Sequence, residues 1–521
     1  MAVDPPGRVA RLSYVEGAVS YASADAGDWT DAVLNRPLTS GDRLWLDEDA
    51  RAELEVGSTT LHLDRETAFG LVKLDDGVLL ASLTEGAASI RVRSLGDQEA
   101  IQVETPNATV RIREAGEYNL EVDTDSDRTI VRARSGEAEV IGGSASHRVR
   151  ASQEGVFAGV DELRVQIGPI APRTAFETWA DDRARREDTS VSSRYVSSEV
   201  TGYEDLDDHG DWLYASSYGH VWRPRYLAHD WAPYRFGRWA WISPWGWTWI
   251  DDARWGFAPF HYGRWVSLRN HWCWVPGPRD VRPVYAPALV GWAGNPPSRY
   301  SATGRGVRWF PLAPHEVYVP SYKHTPRHAR RVNQANTVID DANIARAYTA
   351  RDPVREYRNR ADANAVTVGE RAMWEDVRER AAARRDVTPS RSIRSSVRAR
   401  RVTTLAMPRA RWARGSARRR RCLDRPKCER PRRDDPRNRS SATRAAPCIS
   451  SPRAWRVRVL EPAASPGIAR SPRRRTPLAR KPPRCPRASR ARRCPPWRSR
   501  THHAATSPRA THRGRTPRRS T

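Results

Sequence analysis

Between Gly7 and about Gly168 apolar and polar residues alternate in short runs, such as Ile90-Arg-Val-Arg93, Ile101-Gln-Val-Glu104, Val110-Arg-Ile-Arg113 and Tyr118-Asn-Leu-Glu-Val122. A period of two sends successive side chains to opposite faces of an extended chain. Each run therefore predicts a half-buried β-strand, with Val, Ile, Leu or Tyr on one face and Arg, Glu, Asn or Gln on the other. Turn signals interrupt the runs at Gly17, Gly41-Asp42, Gly57, Asp75-Asp76-Gly77, Gly116 and Gly136. The pattern predicts about ten to twelve short strands in antiparallel sheets with one solvated side.

The pattern changes at residues 169–200. After Pro172, Thr174 is placed to cap a short helix carrying Phe176 and Trp179, and the Ser-rich run Thr189–Val200 reads as a linker. A second β module is expected over residues 201–335, where 14 of the 21 tryptophans fall between Trp212 and Trp309, interleaved with Gly and Pro. Trp239/Trp241, Trp245/Trp247/Trp249 and Trp272/Trp274 are spaced by two, so each set shares one face of an extended strand. Ala232-Pro-Tyr-Arg-Phe-Gly-Arg-Trp239 recurs 26 residues later as Ala258-Pro-Phe-His-Tyr-Gly-Arg-Trp265, with a weaker copy at Tyr218-Gly-His-Val-Trp222. Each copy reads as a Gly turn entering a Trp-bearing strand, and so few copies predict a compact all-β module of hairpins. Residues 336–386 are expected to be partly helical, over Ile339–Thr349 and Ala372–Arg385.

Charge divides the chain. Residues 1–200 carry −14, residues 201–330 and 331–400 carry +5 each, and residues 401–521 carry +32, which together give the +28 of the whole. From about Val387 the composition collapses to Arg, Pro, Ser, Ala and Thr, and residues 387–521 are expected to be disordered because they have little apolar surface to bury. Runs such as Arg418-Arg-Arg-Arg421 would hold phosphates through counterion release, so a real tail implies a nucleic-acid or other polyanion partner. Its 35 Arg against 2 Lys, without a repeat unit, equally fit an inert linker or a shifted reading frame. Cys273 stands alone in the first 400 residues, and the five tail cysteines match no zinc spacing. No run reaches the roughly 18 apolar residues of a membrane helix, and the start Met1-Ala-Val-Asp-Pro-Pro-Gly7 has no secretory signal pattern.

Candidate chemistry concentrates in the Trp-rich region. Exposed indole faces beside arginines form stacking platforms for sugars, nucleotides or glycan strands, and the residues placed for such a ligand face are Trp239, Trp241, Trp247, Trp249, Tyr262, Trp265, Arg238 and Arg264. The competing reading is that about two-thirds or more of these tryptophans are core, since one indole covers much area. The histidines (His209, His220, His229, His261, His271, His315, His324, His328) lack the spacing of a helical ligand pair, apart from His324/His328 in a Pro-broken stretch. Neither metal nor cofactor is expected. Asp251-Asp252 reads as a turn, and Cys273 has no neighbour that would lower its pKa, so no catalytic residue is assigned.

Gly7-Arg-Val-Ala-Arg-Leu-Ser-Tyr-Val-Glu-Gly17, the Leu38-Thr-Ser-Gly-Asp42 turn, Ala52-Glu-Leu54, Val103-Glu-Thr-Pro106 and Val131…Gly136-Glu-Ala-Glu-Val140 occur in an order that resembles the FecR-type domain of bacterial envelope proteins. Trp231-Ala-Pro-Tyr-Arg-Phe-Gly-Arg-Trp239, Trp245-Gly-Trp-Thr-Trp249, Trp255-Gly-Phe-Ala-Pro-Phe-His-Tyr-Gly-Arg-Trp265, Trp274-Val-Pro-Gly-Pro278 and Trp309-Phe-Pro-Leu-Ala-Pro314 resemble a Trp-rich domain of unknown function that often follows it. The resemblance covers roughly residues 7–335. It implies an exported protein of the periplasm or outer envelope, although no signal peptide precedes Asp4. It supplies no catalytic residues, and the membrane span and anti-sigma segment of FecR itself have no counterpart here.

These readings together describe a mainly β chain: a FecR-like domain over 7–168, a helix and linker over 169–200, a Trp-rich module over 201–335, and a basic tail. The leading expectation is a non-catalytic envelope scaffold that binds a protein or cell-wall polymer. The alternatives are a nucleic-acid-binding protein acting through its tail and a cell-wall glycan-active enzyme.

Overall fold

The computed structural model describes residues 4–25, 27–160, 162–294 and 306–374. All of them fall within one compact unit, and the architecture is mainly β. The basic tail and most of the helix expected over Ala372–Arg385 lie outside the described residues.

The first half contains 17 strands in one hydrogen-bonded system, more than the alternation alone predicted. They form two ladders that share the long strand Val78–Val92. Its first half pairs antiparallel with Thr67–Leu74 and parallel with Ala100–Glu104; its second half pairs with Thr59–Leu63 and Gly116–Asp123. Gly86, at φ +86°, stands where the strand passes from one ladder to the other, and an added Cβ would lie 2.6 Å from Glu66 O and 2.7 Å from Thr67 Cα. Only glycine fits such a crossing without strain. The inward row of one ladder, Leu12, Leu54, Leu61, Ile90 and Tyr118, is fully buried with Leu46, Leu83, Val110 and Val140 of the other. These two inner faces form the core predicted by the alternation.

The opposite face departs from expectation. The outward row was expected to meet solvent, yet the helix Ala175–Thr189 lies across it. Cross-strand neighbours Arg11, Glu55, Thr60 and Arg91 form one polar row, and Glu53, His62, Ser89, Asn119 and Arg132 form another. The helix supplies partners to both: Arg183 donates to Glu53 at 2.6 and 3.0 Å, Thr60 donates to Glu187 at 2.7 Å, and Glu177 pairs with Arg132 at 3.5 Å. Phe176, Ala180 and Ala184 are buried along the helix, and Thr174 caps it by accepting from Glu177 N at 3.1 Å. Period-two polarity thus marks a face; whether water or a charged helix covers that face is decided by residues about a hundred positions away.

The second half is built from small sheets around an indole core. Gly210–Ala215, Gly219–Pro224, His271–Val275 and Arg264–Leu268 form a four-stranded sheet in that order, and Gly237–Ile242 pairs with Gly246–Asp251 as a hairpin. Val290–Trp292, Arg308–Pro311 and Thr367–Val368 make a third sheet. Beyond Tyr322, where the apolar pattern fades, helix Pro326–Gln334 nevertheless forms, capped by Thr325 and burying His328, Ala329, Val332 and Asn333. Helix Asp341–Thr349 follows.

Candidate functional site

Several of the buried indoles reach a partner for Nε1, whereas Nε1 of Trp239, Trp245 and Trp374 has none among the described residues. Trp222 donates to Leu206 O (3.0 Å), Trp265 to Pro259 O, Trp274 to Tyr262 O and Trp309 to Tyr234 O (2.8 Å each). A satisfied indole contributes its large apolar area without leaving a polar atom stranded. Of the residues expected to form a ligand face, Trp239, Trp247, Trp249, Tyr262, Trp265 and Arg264 are all buried. Trp239 contacts Trp249, Trp292, Trp309 and Trp374 at centroid distances of 4.9–5.7 Å, which makes it the centre of an aromatic core. Arg264 donates to Glu316 O, Gly263 O and Asn333 Oδ1, and burial lowers its pKa to about 10. The structure leaves only Arg238 and Trp241 of the eight partly accessible, so the platform does not form where the spacing placed it.

The other polar candidates are interior as well. His261 is buried with Nδ1 donating to Ala286 O at 2.8 Å, and burial lowers its pKa to about 3. Cys273 is buried between sheet neighbours, and its thiol is pushed up by desolvation. Asp251 is the last residue of its strand and not part of the expected turn. It accepts from Trp249 Nε1 and Ala253 N at 3.0 Å, and burial pushes its pKa up to about 8.

A different aromatic surface is present on the hairpin Gly210–Ala215/Gly219–Pro224. Trp212 lies opposite Trp222 and Tyr214 opposite His220, on one face. Tyr195 enters from the preceding turn, stacked on Trp212 at 4.5 Å and tilted against His220 at 4.7 Å, while Tyr214 meets His220 at 5.5 Å. Tyr214 is 73% exposed, and Trp212 touches the core through Trp274 at 6.2 Å. Asp207 fixes the turn by accepting from Val191 N, Ser192 N and Ser192 Oγ, and Ser192 Oγ in turn accepts from Trp212 Nε1 at 2.8 Å. Within the Asp207-Asp208-His209 run, Asp207 is therefore the brace for this turn, while Asp208 pairs with Arg186 at 3.1 Å. Alternation in Trp212-Leu-Tyr214 and His220-Val-Trp222 was the available signal for the surface; Tyr195 had none.

Sequence reasoning also missed the charged node joining the two halves. Arg11, fully buried, donates to Asn35 Oδ1, Asp205, Glu55 (3.4 Å) and Arg254 O (2.8 Å), and lies 3.6 Å from Glu204. Burial opposes its charge, but Asp205, Glu55 and Glu204 outweigh that and raise its pKa. Desolvation and the neighbouring Glu55 push Glu204 well above the carboxylate range. Carboxylate oxygens of Glu55, Glu187 and Glu204 lie within 4.8 Å of one another. Arg11 pairs with Glu55 and Glu204, and Arg93 pairs with Glu187, so guanidinium groups already balance the charge a cation would meet.

This second half has a recognisable counterpart. Residues 203–316 match the Family of unknown function (DUF6600). The matched segment contains the hairpin, the indole core apart from Trp374, and the Asp205 end of the charged node. No curated protein matches the chain. Two solved structures, both described as "a putative anti-sigma factor from Parabacteroides distasonis ATCC 8503", at 1.65 and 2.50 Å resolution, are similar at 16% identity with a TM-score of 0.22. Each match covers 24% of this chain and 59% of that one.

Proposed function

We propose that this chain is a non-catalytic binding and scaffold protein of the bacterial envelope, in which the Trp-rich half presents a recognition surface held rigidly on the β-ladder half. The observation that carries this reading is the contiguous series of ring contacts Tyr214–His220–Tyr195–Trp212, which runs from solvent into the indole core. Exposed ring faces anchored on a rigid base bind flat, partly apolar ligands with little ordering cost, which fits a sugar ring of a wall polymer or an aromatic side chain of a protein partner. The FecR-type resemblance of residues 7–168 supports an envelope location, and the polar contacts around Arg11 support a scaffold whose halves move as one.

The test is co-sedimentation with purified peptidoglycan sacculi together with pull-down from an envelope fraction. Retention that Tyr214→Ala and His220→Ala abolish supports the reading. Retention unaffected by both substitutions, or fractionation of the native protein with the cytosol, overturns it.

A further inference from the structure

On the β-ladder half, away from the aromatic hairpin, a cavity of about 550 Å³ opens between the turn carrying Asp64 and Glu66, the Glu85–Ala87 crossing, the end of strand Gly116–Asp123 and the first turn of helix Ala175–Thr189. Seven carboxylates line it against two guanidinium groups, Arg65 and Arg132. Arg132 is already paired with Glu121 (3.0 Å), Glu154 (2.6 Å) and Glu177 (3.5 Å). Asp64 pairs with Arg51 at 3.2 Å and Asp123 with Arg128 at 3.2 Å. Glu66, Glu85 and Asp125 have no cationic partner among the described residues, and they repel one another: burial, then Glu66 and Asp125, raise the Glu85 pKa.

A second observation points to a ligand. Asn119, 2% exposed, lines the same cavity, and neither its amide nitrogen nor its amide oxygen has a hydrogen-bond partner among the described residues. A buried amide without partners has given up its water hydrogen bonds for nothing, and such groups are rare in folded proteins. It sits in the outward polar row between Ser89 and Arg132, beside the first turn of the covering helix.

We propose that this cleft binds an aliphatic oligoamine, with ammonium groups on Glu66, Glu85 and Asp125. The spread of the carboxylates selects that class. Among the described residues these three do not come within the 4.8 Å that gathers Glu55, Glu187 and Glu204, so they do not form a shell for one metal ion. A cavity of this volume far exceeds a single ion and suits a flexible chain with separated positive charges.

Isothermal titration of the full chain with spermidine at low ionic strength tests the proposal. One saturable site is expected, weakened at least about tenfold in the triple variant E66Q/E85Q/D125N and severalfold by Asn119→Leu. The triple variant removes mutual repulsion, so its thermal midpoint stays at or above that of the parent, which separates lost binding from lost fold. Absence of a saturable site overturns the proposal, as does binding that the triple variant leaves intact. Displacement of spermidine by stoichiometric calcium chloride overturns it in favour of a metal site. None of these outcomes depends on the aromatic surface.

Discussion

The Tyr234 ring meets the Phe260 ring edge-on, with centroids 5.0 Å apart and planes at 89°, and Tyr234 Oη donates to Phe260 O at 2.8 Å. These residues hold the same place in the two copies of the 26-residue repeat. The copies therefore pack against each other through their equivalent positions instead of stacking in series. Four positions on, equivalence ends: Arg238 stays partly accessible, whereas Arg264 is buried among carbonyls.

The repeat's glycine is the first place to probe. Gly263 has φ +70°, and a Cβ there would stand 2.4 Å from both Trp274 Nε1 and Val275 O. Gly263→Ala is expected to destabilise the protein by about 2 kcal/mol or more, through strain and loss of the Trp274 packing. Urea denaturation with a lowered midpoint and unchanged m-value checks it.

Truncating Arg11 strands three buried carboxylates. Arg11→Met should cost about 3–5 kcal/mol, and adding Glu204→Gln should recover part of that loss, because it removes one of the stranded carboxylates and its repulsion of Glu55. A double-mutant cycle in urea measures the coupling. Strict additivity would show that the node holds no shared energy.

Stability should fall as pH rises from about 4 to 8 by the Asp251 contribution. Its carboxyl is pushed up to about 8 by burial, while the unfolded chain titrates near the ordinary 3.8. In that window the unfolded state has lost a proton that the folded state keeps, so the contribution is complete below the lower value and lost through the upper. Asp251→Asn should narrow the difference in unfolding free energy between pH 5 and pH 8 by at least about 1 kcal/mol. His261 acts in the opposite direction: burial lowers its pKa to about 3 from 6.5, so its contribution is lost as the solution is acidified through that range.

Tyr214→Ala and His220→Ala remove solvent-facing rings. Each is expected to change unfolding free energy by no more than about 0.5 kcal/mol while abolishing retention on sacculi or partner. A large loss of stability would instead place these rings among the structural aromatics.

Fold class was legible because period-two alternation needs only local information, and Leu12, Leu54, Ile90 and Tyr118 all point where it sends them. The Thr174 cap and the repeat were legible for the same reason. The site was not. Trp239 and Trp249 look identical in sequence to ligand-stacking tryptophans, and their burial depends on Trp292, Trp309 and Trp374, which arrive from far along the chain. Arg11 reads as an outward residue of an ordinary strand; its partners Glu204, Asp205 and the Arg254 carbonyl come from nearly two hundred positions or more away.

The N-terminal segment extends this distance further. Asp4 accepts from Thr325 N and Oγ1 at 2.7 Å, and Tyr285 N donates to Gly7 O at 2.7 Å. Asp4 thus finds its Thr325 partner 321 positions later in the chain. At a synthesis rate of roughly 5–20 residues per second, Asp4 waits between about a quarter of a minute and a minute for Thr325 to be made. During that interval the β-ladder half has the means to close its own core and pair its leading strand, but Asp4 ahead of that strand still lacks its Thr325 partner. A nascent chain arrested before residue 325 should therefore expose the segment around Asp4 to protease, and one arrested well beyond it should not.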